Sequence, residues 1–354
     1  MKYLILLIIS TTALNCCLQA QIDAKAAEEY IRYDGGGAMG KKTIVPKLDK
    51  LAIAQARVYF KQATTRDMME NERGAFGQRK SLGGSVAGRL TAYLEITDGE
   101  LTPQDYSQLA DGFYDYLSGK LKASGIRPVD WNAIAGAEFY TADKAEVDEK
   151  ELEEMQKRGQ IYHAVNAKNG NMLHTYNPFG TAALNMGFAF GKAKRAANFS
   201  KDVGAPLVFM HVIVDFADIL LDAEVRTGEG TKYGADGVAR ITKSKNFKFD
   251  ASAGANLKVA ASNCFSHFYN EKYQVDNFWL VKDVSSGLPF AKKVSQDASK
   301  EVLKGNKFSI MTKTFNATPV VVETTKEQYM AAAKKALENY ADVFVGKIMA
   351  HKKS

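Results

Sequence analysis

The chain has 354 residues, of which 46% are hydrophobic and 25% are charged, and its formal net charge is +7 at pH 7. A mild positive excess of this kind favours contact with anionic surfaces without singling one out. Nucleic acid is not expected as a partner, because no basic run is interleaved with aromatic residues in the way that single-strand binding requires.

The first 20 residues have the pattern of a signal peptide. Lys2 precedes an apolar run over residues 3–9, and Ala20 supplies the small residue before the cut. This run is too short for a membrane-spanning helix, and the longest later apolar run, over residues 207–214, also falls short of one. We therefore expect an exported mature chain without a transmembrane helix, periplasmic or associated with the outer membrane of a Gram-negative bacterium.

Cys16 and Cys17 leave a second processing route open. A cysteine that closes a short apolar segment can become the acylated first residue of a bacterial lipoprotein, although neither Asn15 nor Cys16 is the small preceding residue that such a site prefers. The sequence thus allows either cleavage after Ala20 or a lipid anchor at Cys16 or Cys17. Cys264 is the only other cysteine, so no disulfide is expected in the mature chain.

Residues 21–50 are predicted to form a flexible N-terminal arm, because the glycines at 35–37 interrupt a short helix-like segment. Residues 51–61 and 89–97 are predicted strands, since they carry β-branched, aromatic and alternating apolar residues. Between them, the charged and glycine-rich residues 68–84 predict a long exposed loop.

The clearest helix lies at residues 102–125. Thr102 is its predicted N-cap, Pro103 stands at the first helical position, Asp105 makes a variant of the capping box, and Gly125 ends it. An apolar stripe at three- and four-residue spacing predicts that one face packs on a core; it comprises Tyr106, Leu109, Phe113, Leu117 and Leu121. Residues 126–131 then predict an edge strand around Pro128, and an acidic helix is expected near residues 144–158.

The C-terminal half predicts a long antiparallel meander over about residues 207–294 and an amphipathic helix over about 325–350. Residues 207–214 are apolar on both faces, which is typical of a central strand. Within the meander, every odd position from Phe247 to Val259 is apolar. The order of elements predicts an α/β (α+β) fold, with a mixed sheet and flanking helices in one domain over residues 51–350.

Residues 280–290 (LVKDVSSGLPF) indicate a strand, a tight turn at Ser285-Ser286-Gly287 and a second strand. This hairpin follows a buried strand and a meander and precedes a C-terminal helix. In that order it resembles the bacterial curli secretion channel family and its relatives, which share a fold with the N-terminal domain of the TolB translocation protein. The resemblance covers residues 51–350 as an order of elements, and residues 207–215 and 280–287 at the level of single residues.

In that family, the segment similar in position to residues 231–261 crosses the membrane in an oligomeric pore, and the resemblance implies the same use here. Ala251, Ala253 and Ala255 would make a poor lipid-facing surface, however, and aromatic residues do not flank them at both ends. A face of Phe, Ala and Val fits equally well under a helix. We expect the sheet to pack this apolar side on the domain's own helices.

No motif predicts a cofactor or a metal. Residues 35–41 match the spacing of a phosphate-binding loop, but Lys42 stands where a magnesium-binding hydroxyl is needed, and no buried strand precedes the loop. Cys264 and His267 supply only two zinc ligands, and in a strand they would point to opposite faces. His211 and Asp215 are predicted to share one strand face, where a buried hydrogen bond is more common than a catalytic dyad.

Asp215, Asp218, Asp222 and Glu224 form the densest group of carboxylates beside an apolar strand, and the three aspartates are the candidate catalytic residues. Paired carboxylates can perform acid–base chemistry on a glycan. Solvated charges at a sheet edge are the ordinary alternative.

We therefore expect an exported, non-enzymatic envelope protein that acts as a scaffold or accessory in secretion or assembly at the outer membrane. Its expected partner is another envelope protein or a second copy of itself. Two alternatives remain: an exported hydrolase of cell-wall or polysaccharide substrates that uses the aspartates, and an oligomeric outer-membrane pore. An enzyme is the less expected outcome.

Overall fold

The fold is built on one mixed sheet. A computed structural model describes residues 27–35, 44–71, 85–142, 144–145, 159–173, 186–233, 239–304 and 312–352. Within these residues the sheet contains 13 strands, and helices pack on both of its faces, so the predicted α/β (α+β) class is confirmed. Among the described residues, no helix combines the length and the apolar character needed to cross a bilayer.

The strands and helices have the following bounds. The strands are β1 (Ile31–Gly35), β2 (Lys50–Asn71), β3 (Ser85–Ile96), β4 (Arg127–Pro128), β5 (Lys144–Ala145), β6 (Gln160–Asn166), β7 (Met172–Leu173), β8 (Leu207–Tyr233), β9 (Ala239–Val259), β10 (Phe265–Tyr269), β11 (Val275–Leu280), β12 (Val284–Ser285), β13 (Ala291–Gln296), β14 (Thr312–Asn316) and β15 (Val320–Thr324). The helices are α1 (Pro103–Ala123), α2 (Trp131–Ala135), α3 (Glu138–Ala142), α4 (Met186–Val203) and α5 (Lys326–His351).

The main path of the sheet runs in the order β1-β11-β10-β8-β2-β3-β15-β13. The central pair β2 and β8 is parallel, as is the pair β3 and β15. Alternate residues of β8 enter two separate cores: Val208, Met210 and Val212 pack with α1 and α5 in the main core, and Leu207 and Phe209 pack with α2, α3 and α4. The predicted central strand is therefore confirmed, because β8 is covered on both faces.

Local capping and apolar periodicity predicted the two long helices that cover the main core. Thr102 and Asp105 form the complete capping box of α1, and Thr325 is the N-cap of α5, its side chain accepting from the Gln328 N–H. The rings of Phe113 on α1 and Tyr340 on α5 stack at 6.0 Å between centroids. Both predicted helices are thus present with nearly the expected bounds.

The N-terminal arm differs from the expectation of a flexible segment. β1 pairs with β11 as an edge strand, and Ile31 and Tyr33 are buried in the main core. The fully buried carboxylate of Asp276 accepts hydrogen bonds from the Tyr33 hydroxyl (2.6 Å) and from the N–H groups of Ile44 (2.9 Å) and Val45 (3.0 Å). These contacts come from distant residues, so the local sequence did not reveal them. β1 ends at Gly35, so a strand with two buried residues does precede the glycine motif over residues 35–41, contrary to the expectation, and residues 36–41 lie outside the described residues.

Several predicted strands are longer than expected. β2 continues to Asn71, so the first residues of the predicted loop at residues 68–84 belong to this strand. β3 begins at Ser85, directly after the predicted loop. The predicted meander starts with only two strands, β8 and β9, which pair from Val214 and Val259 out to Tyr233 and Ala239. In the sequence, the polar residues in the outer parts of β8 and β9 predict several shorter strands joined by turns. We call the outer part of this hairpin, from the Ala223–Phe249 pair to Tyr233 and Ala239, the outer ribbon.

The alternating segment of β9 packs on the domain itself. Ala251, Ala253 and Ala255 lie half-buried against the main core, as the helix-packing interpretation predicted. Farther out, the ring of Phe249 stacks on Phe315 at 6.1 Å and lies so close to Gly88 that a side chain there would overlap it.

Two smaller predictions need correction. Gly287 has the positive φ (+69°) expected of a turn, but the strands on its two sides do not form a hairpin: β12, before it, pairs with β9, and β13, after it, pairs with β15. The acidic helix near residues 144–158 begins instead with the short strand β5, and residues 146–158 lie outside the described part of the chain. The edge strand around Pro128 is present as β4.

The capping box of α1 predicts an acid-sensitive contribution to stability. Asp105 accepts from the Lys326 ammonium (2.7 Å) and from the Thr102 N–H and hydroxyl (2.7 Å each). These contacts lower the pKa of Asp105 from 3.8 to about 2; the Lys326 ammonium contributes most, followed by the Thr102 hydroxyl and the Thr102 N–H. A lowered pKa stabilises the fold above the unfolded value and loses that effect as the pH falls toward the folded value.

We expect Asp105→Asn to reduce the free energy of unfolding at neutral pH by about 1 kcal/mol and to weaken its fall between about pH 4 and pH 2. Urea unfolding at a series of pH values measures both effects. Glu100→Gln, an exposed change in the preceding turn, is the matched control and should follow the parent protein. Equal pH dependence in Asp105→Asn and the parent would contradict this role.

Candidate functional site

The centre of the sheet divides where two parallel strands separate. β2 and β8 pair up to Phe60 and Val214, after which β2 continues with β3 and β6 while β8 continues with β9. Register shifts fall directly after Lys61 in β2 and directly after Asp215 in β8. Irregularities of this kind bend strands apart. A cleft of about 740 Å³ opens here, and we call its surroundings the strand fork.

A buried ion pair forms the floor of the cleft. The Lys61 Nζ lies 2.5 Å from the Asp215 Oδ2, and each side chain is only 9% exposed. Lys61 also donates to the Thr64 hydroxyl (3.2 Å). The other oxygen of Asp215 accepts from the Phe216 N–H (2.8 Å) and, at longer range, from the Ala217 N–H (3.4 Å). Asp215 therefore accepts hydrogen bonds from the backbone at the register shift of β8 and neutralises the charge of Lys61.

The electrostatics of this pair keep Lys61 charged. Burial by itself would lower the pKa of a lysine, because the charged form loses its water. The negative charge of Asp215, the Tyr162 side chain and the hydrogen bond to Asp215 outweigh burial, and the pKa of Lys61 is raised. The ammonium therefore stays protonated at neutral pH and cannot act as a base there.

A second lysine bridges two aspartates at the mouth of the cleft. Lys258 on β9 donates to Asp218 on β8 and, at 2.6 Å, to Asp283 before β12. Asp218 also accepts from the Asn256 amide (2.9 Å), and Asp283 accepts from the Ala261 N–H (2.8 Å). Lys258 is 8% exposed, whereas Asp218 and Asp283 are 44% and 41% exposed and face the cleft.

These bonds also set the protonation of the second cluster. Burial acts to raise the pKa of Asp283, but the Ala261 N–H and the Lys258 ammonium outweigh it, and the pKa is lowered. Burial acts to lower the pKa of Lys258, and the hydrogen bonds and charges of Asp218 and Asp283 raise it. Both groups are therefore held in their charged forms.

The walls of the cleft are polar on one side and partly apolar on the other. The Gln160 amide donates to the Thr65 carbonyl (2.8 Å) and its oxygen accepts from the Thr64 hydroxyl (2.8 Å). The Arg66 guanidinium donates to the Ile219 carbonyl (2.6 Å) and so links the diverging strands. The half-buried ring of Tyr162 faces the Lys61 ammonium at 5.9 Å from its centroid. Ile213 and Ala260 complete the lining beside it.

The structure brings together two of the three aspartates that the sequence singled out. Asp215 and Asp218 line the cleft, whereas Asp222 lies exposed farther along β8, directly opposite Asp250. The backbone of Glu224 lies still farther out, opposite Lys248, beyond the cleft.

Sequence reasoning missed Lys61, Lys258 and Asp283. These residues come from three distant segments, so no short motif joins them. The available signal was local: Lys61 directly follows the apolar residues Val58, Tyr59 and Phe60, and Lys258 lies between Leu257 and Val259.

The remaining candidates for chemistry do not form a catalytic group. His211 and Asp215 share a face, but four residues of strand separate them by about 13 Å, too far for a hydrogen bond. His211 packs between Tyr59 and Phe265, and burial lowers its pKa to about 3, with smaller effects from the charges of Arg57 and His267. Cys264 lies in the main core, while His267 contacts Phe265 and Trp279 on the other face.

Asp215, Asp218 and Asp283 each contact a lysine ammonium. A glycosidase needs one carboxyl group that donates a proton to the leaving group and a second that acts as base or nucleophile. Within the described ranges, no cluster of His, Cys, Asp or Glu suits a metal ion.

The buried ion pair gives a stability prediction. Lys61→Met leaves Asp215 charged and buried without its partner, which costs about 3–5 kcal/mol when one member of a buried pair is removed. The double variant Lys61→Met/Asp215→Asn should recover part of this loss, because the asparagine oxygen still accepts from the Phe216 N–H without carrying a charge. Urea unfolding of the purified proteins measures both values.

The control is Lys293→Met, which removes an ion pair with Glu323 in which the lysine is 61% exposed. An exposed pair contributes about 0–1 kcal/mol, so this variant should resemble the parent. A Lys61→Met variant no less stable than Lys293→Met would contradict the role given to the buried pair.

Comparisons of the chain with protein-family models, with curated proteins and with solved structures gave no match. The resemblance to the curli secretion channel family therefore rests on the order of elements and the short segments quoted above. What the protein does is inferred from its own residues.

Proposed function

We propose that the protein is a non-enzymatic scaffold or accessory of the bacterial cell envelope, which binds a partner protein or a second copy of itself through its outer ribbon. The observation that carries this proposal is the length of β8 and β9 beyond the body of the sheet. The envelope location depends on the predicted signal peptide, and the route of processing stays open between Ala20 and Cys16 or Cys17.

The outer ribbon offers unpaired strand edges. From the Ala223–Phe249 pair to the Tyr233–Ala239 pair, β8 and β9 hydrogen-bond to each other, and no other strand among the described residues pairs with them there. At about 3.4 Å per residue this part is roughly 35 Å long. An unpaired edge readily accepts a strand from another chain, and many proteins recognise partners in this way.

The cleft supports a non-enzymatic role. Asp215, Asp218 and Asp283 form ion pairs with Lys61 and Lys258, which favours a structural role for these aspartates over catalysis. The inner part of β9 does not support the pore alternative, because Ala251, Ala253 and Ala255 pack on the main core instead of forming a lipid-facing surface. Strand-mediated contact therefore fits the observations better than hydrolysis or a pore.

A cysteine introduced into the outer ribbon tests the proposal. We expect Asn246→Cys in the mature chain to give covalent dimers, or a defined adduct with one envelope protein, after treatment with a short bismaleimide, because strand addition brings the cysteine beside another chain. Mass spectrometry of the crosslinked product identifies the partner. The native Cys264 does not interfere, since it is buried and burial raises the pKa of its thiol to about 12.

Two variants control this experiment. Lys122→Cys places the same thiol on the exposed side of α1, away from the ribbon, and should stay uncrosslinked. Replacing residues 226–246 by Asn-Gly in the parent chain joins the register partners Val225 and Phe247 through a tight turn. Because this change also removes position 246, association is measured by size-exclusion chromatography with light scattering, and it should be abolished while the rest of the domain still unfolds cooperatively. A strictly monomeric protein without an adduct, or equal crosslinking at Lys122→Cys, would overturn the proposal.

A further inference from the structure

We propose that the cleft at the strand fork binds a neutral saccharide and holds it without cleaving it. This inference is independent of the partner contact made by the outer ribbon. It rests on the charge balance of the cleft, on the hydrogen-bonding groups left over by its ion pairs, and on the aromatic side chain in its wall.

The charges of the cleft are already balanced. Lys61 is neutralised by Asp215, and Lys258 by Asp218 and Asp283. Asp67 pairs with Arg89 at 2.6 Å, and the exposed guanidinium of Arg66, which donates to the Ile219 carbonyl, offsets the one negative charge left by the second aspartate on Lys258. A phosphate or carboxylate ligand would lie beside the aspartates of the lining and, away from Arg66, would have to displace one of them from a lysine, while a cation would meet ammonium groups already in place. A neutral ligand avoids both costs, because it leaves the ion pairs intact.

The cleft nevertheless retains donors and acceptors side by side. An ammonium group has three protons, and Lys61 and Lys258 each donate two of them to neighbours among the described residues. A carboxylate has about four acceptor positions, and the contacts described for Asp218 and Asp283 occupy two on each. Hydroxyl groups both donate and accept, so a polyhydroxylated ligand matches this mixture.

The opposite wall suits the C–H face of a sugar ring. Tyr162 is half-buried and lies beside the apolar side chains of Ile213 and Ala260. The cleft volume of about 740 Å³ lies within the range of ordinary ligand sites, about 300–1,000 Å³. The side chains around it are fixed by hydrogen bonds before any ligand arrives, which lowers the entropy cost of binding.

Titration calorimetry of the purified mature protein tests the proposal with neutral tetrasaccharides of glucose, mannose and N-acetylglucosamine. Inorganic phosphate and a tetrasaccharide of galacturonate are the charged probes. We expect at least one neutral probe to bind with a millimolar or lower Kd and both charged probes to bind at least about tenfold more weakly. Failure of all three neutral probes, or preference for a charged one, would overturn the proposal.

Variants then place the binding in the cleft. Tyr162→Ala should weaken binding at least about tenfold, while Tyr162→Phe keeps the ring and should stay within about threefold of the parent. Tyr273→Ala removes an aromatic ring that is 57% exposed elsewhere and is the matched control. Equal losses in Tyr162→Ala and Tyr273→Ala, or none in Tyr162→Ala, would exclude the cleft as the site.

A second variant keeps the test decisive if Tyr162→Ala unfolds. Ser262 is exposed at the cleft lining and takes no part in the lysine–aspartate contacts, so Ser262→Trp should fill the cleft without disturbing its floor. We expect it to abolish saccharide binding with an unchanged urea midpoint. Full binding by a folded Ser262→Trp protein would refute the assignment.

Discussion

The ion pair between Lys61 and Asp215 is the interaction on which the rest of the site depends. A parallel sheet that divides into two antiparallel ribbons leaves backbone groups without strand partners at the division. Asp215 accepts from two of these N–H groups, and a carboxylate buried to this degree requires a cation beside it. Lys61 supplies that cation from the other strand, so the same contact neutralises the charge and holds the diverging strands at a fixed separation.

The cleft and the outer ribbon share two strands, β8 and β9. Asp218, Ile219 and Leu220 of β8 and Lys258 of β9 line the cleft, and the same two strands continue into the ribbon. The Arg66 guanidinium, bonded to the Ile219 carbonyl, ties this root to β2. A ligand in the cleft would therefore contact β8 and β9 where the ribbon begins. Binding there could change the position of the strand edges farther out.

The sequence predicted those elements whose causes are local. The capping box of Thr102 and Asp105, the apolar stripe of α1 and the two-sided apolar pattern at the start of β8 all depend on near neighbours. β1 could not be predicted, because its anchor Asp276 is 243 positions from Tyr33. The ion pairs of Lys61 and Lys258 likewise could not be predicted, because their carboxylate partners come from other segments of the chain. The outward extension of β8 beyond Ala223 and the first residues of β9 were hidden, because ladder hydrogen bonds can stabilise a strand whose polar residues show no regular apolar alternation.

The parallel pairing of β2 with β8 has a kinetic consequence. Lys61 and Asp215 are 154 positions apart, so the middle of the sheet closes only after a large loop of chain has been brought together. α1 and the β8–β9 hairpin depend on shorter-range contacts and form without waiting for this closure. During the delay, unpaired strands are exposed to other molecules, which makes the yield of refolding fall as protein concentration rises.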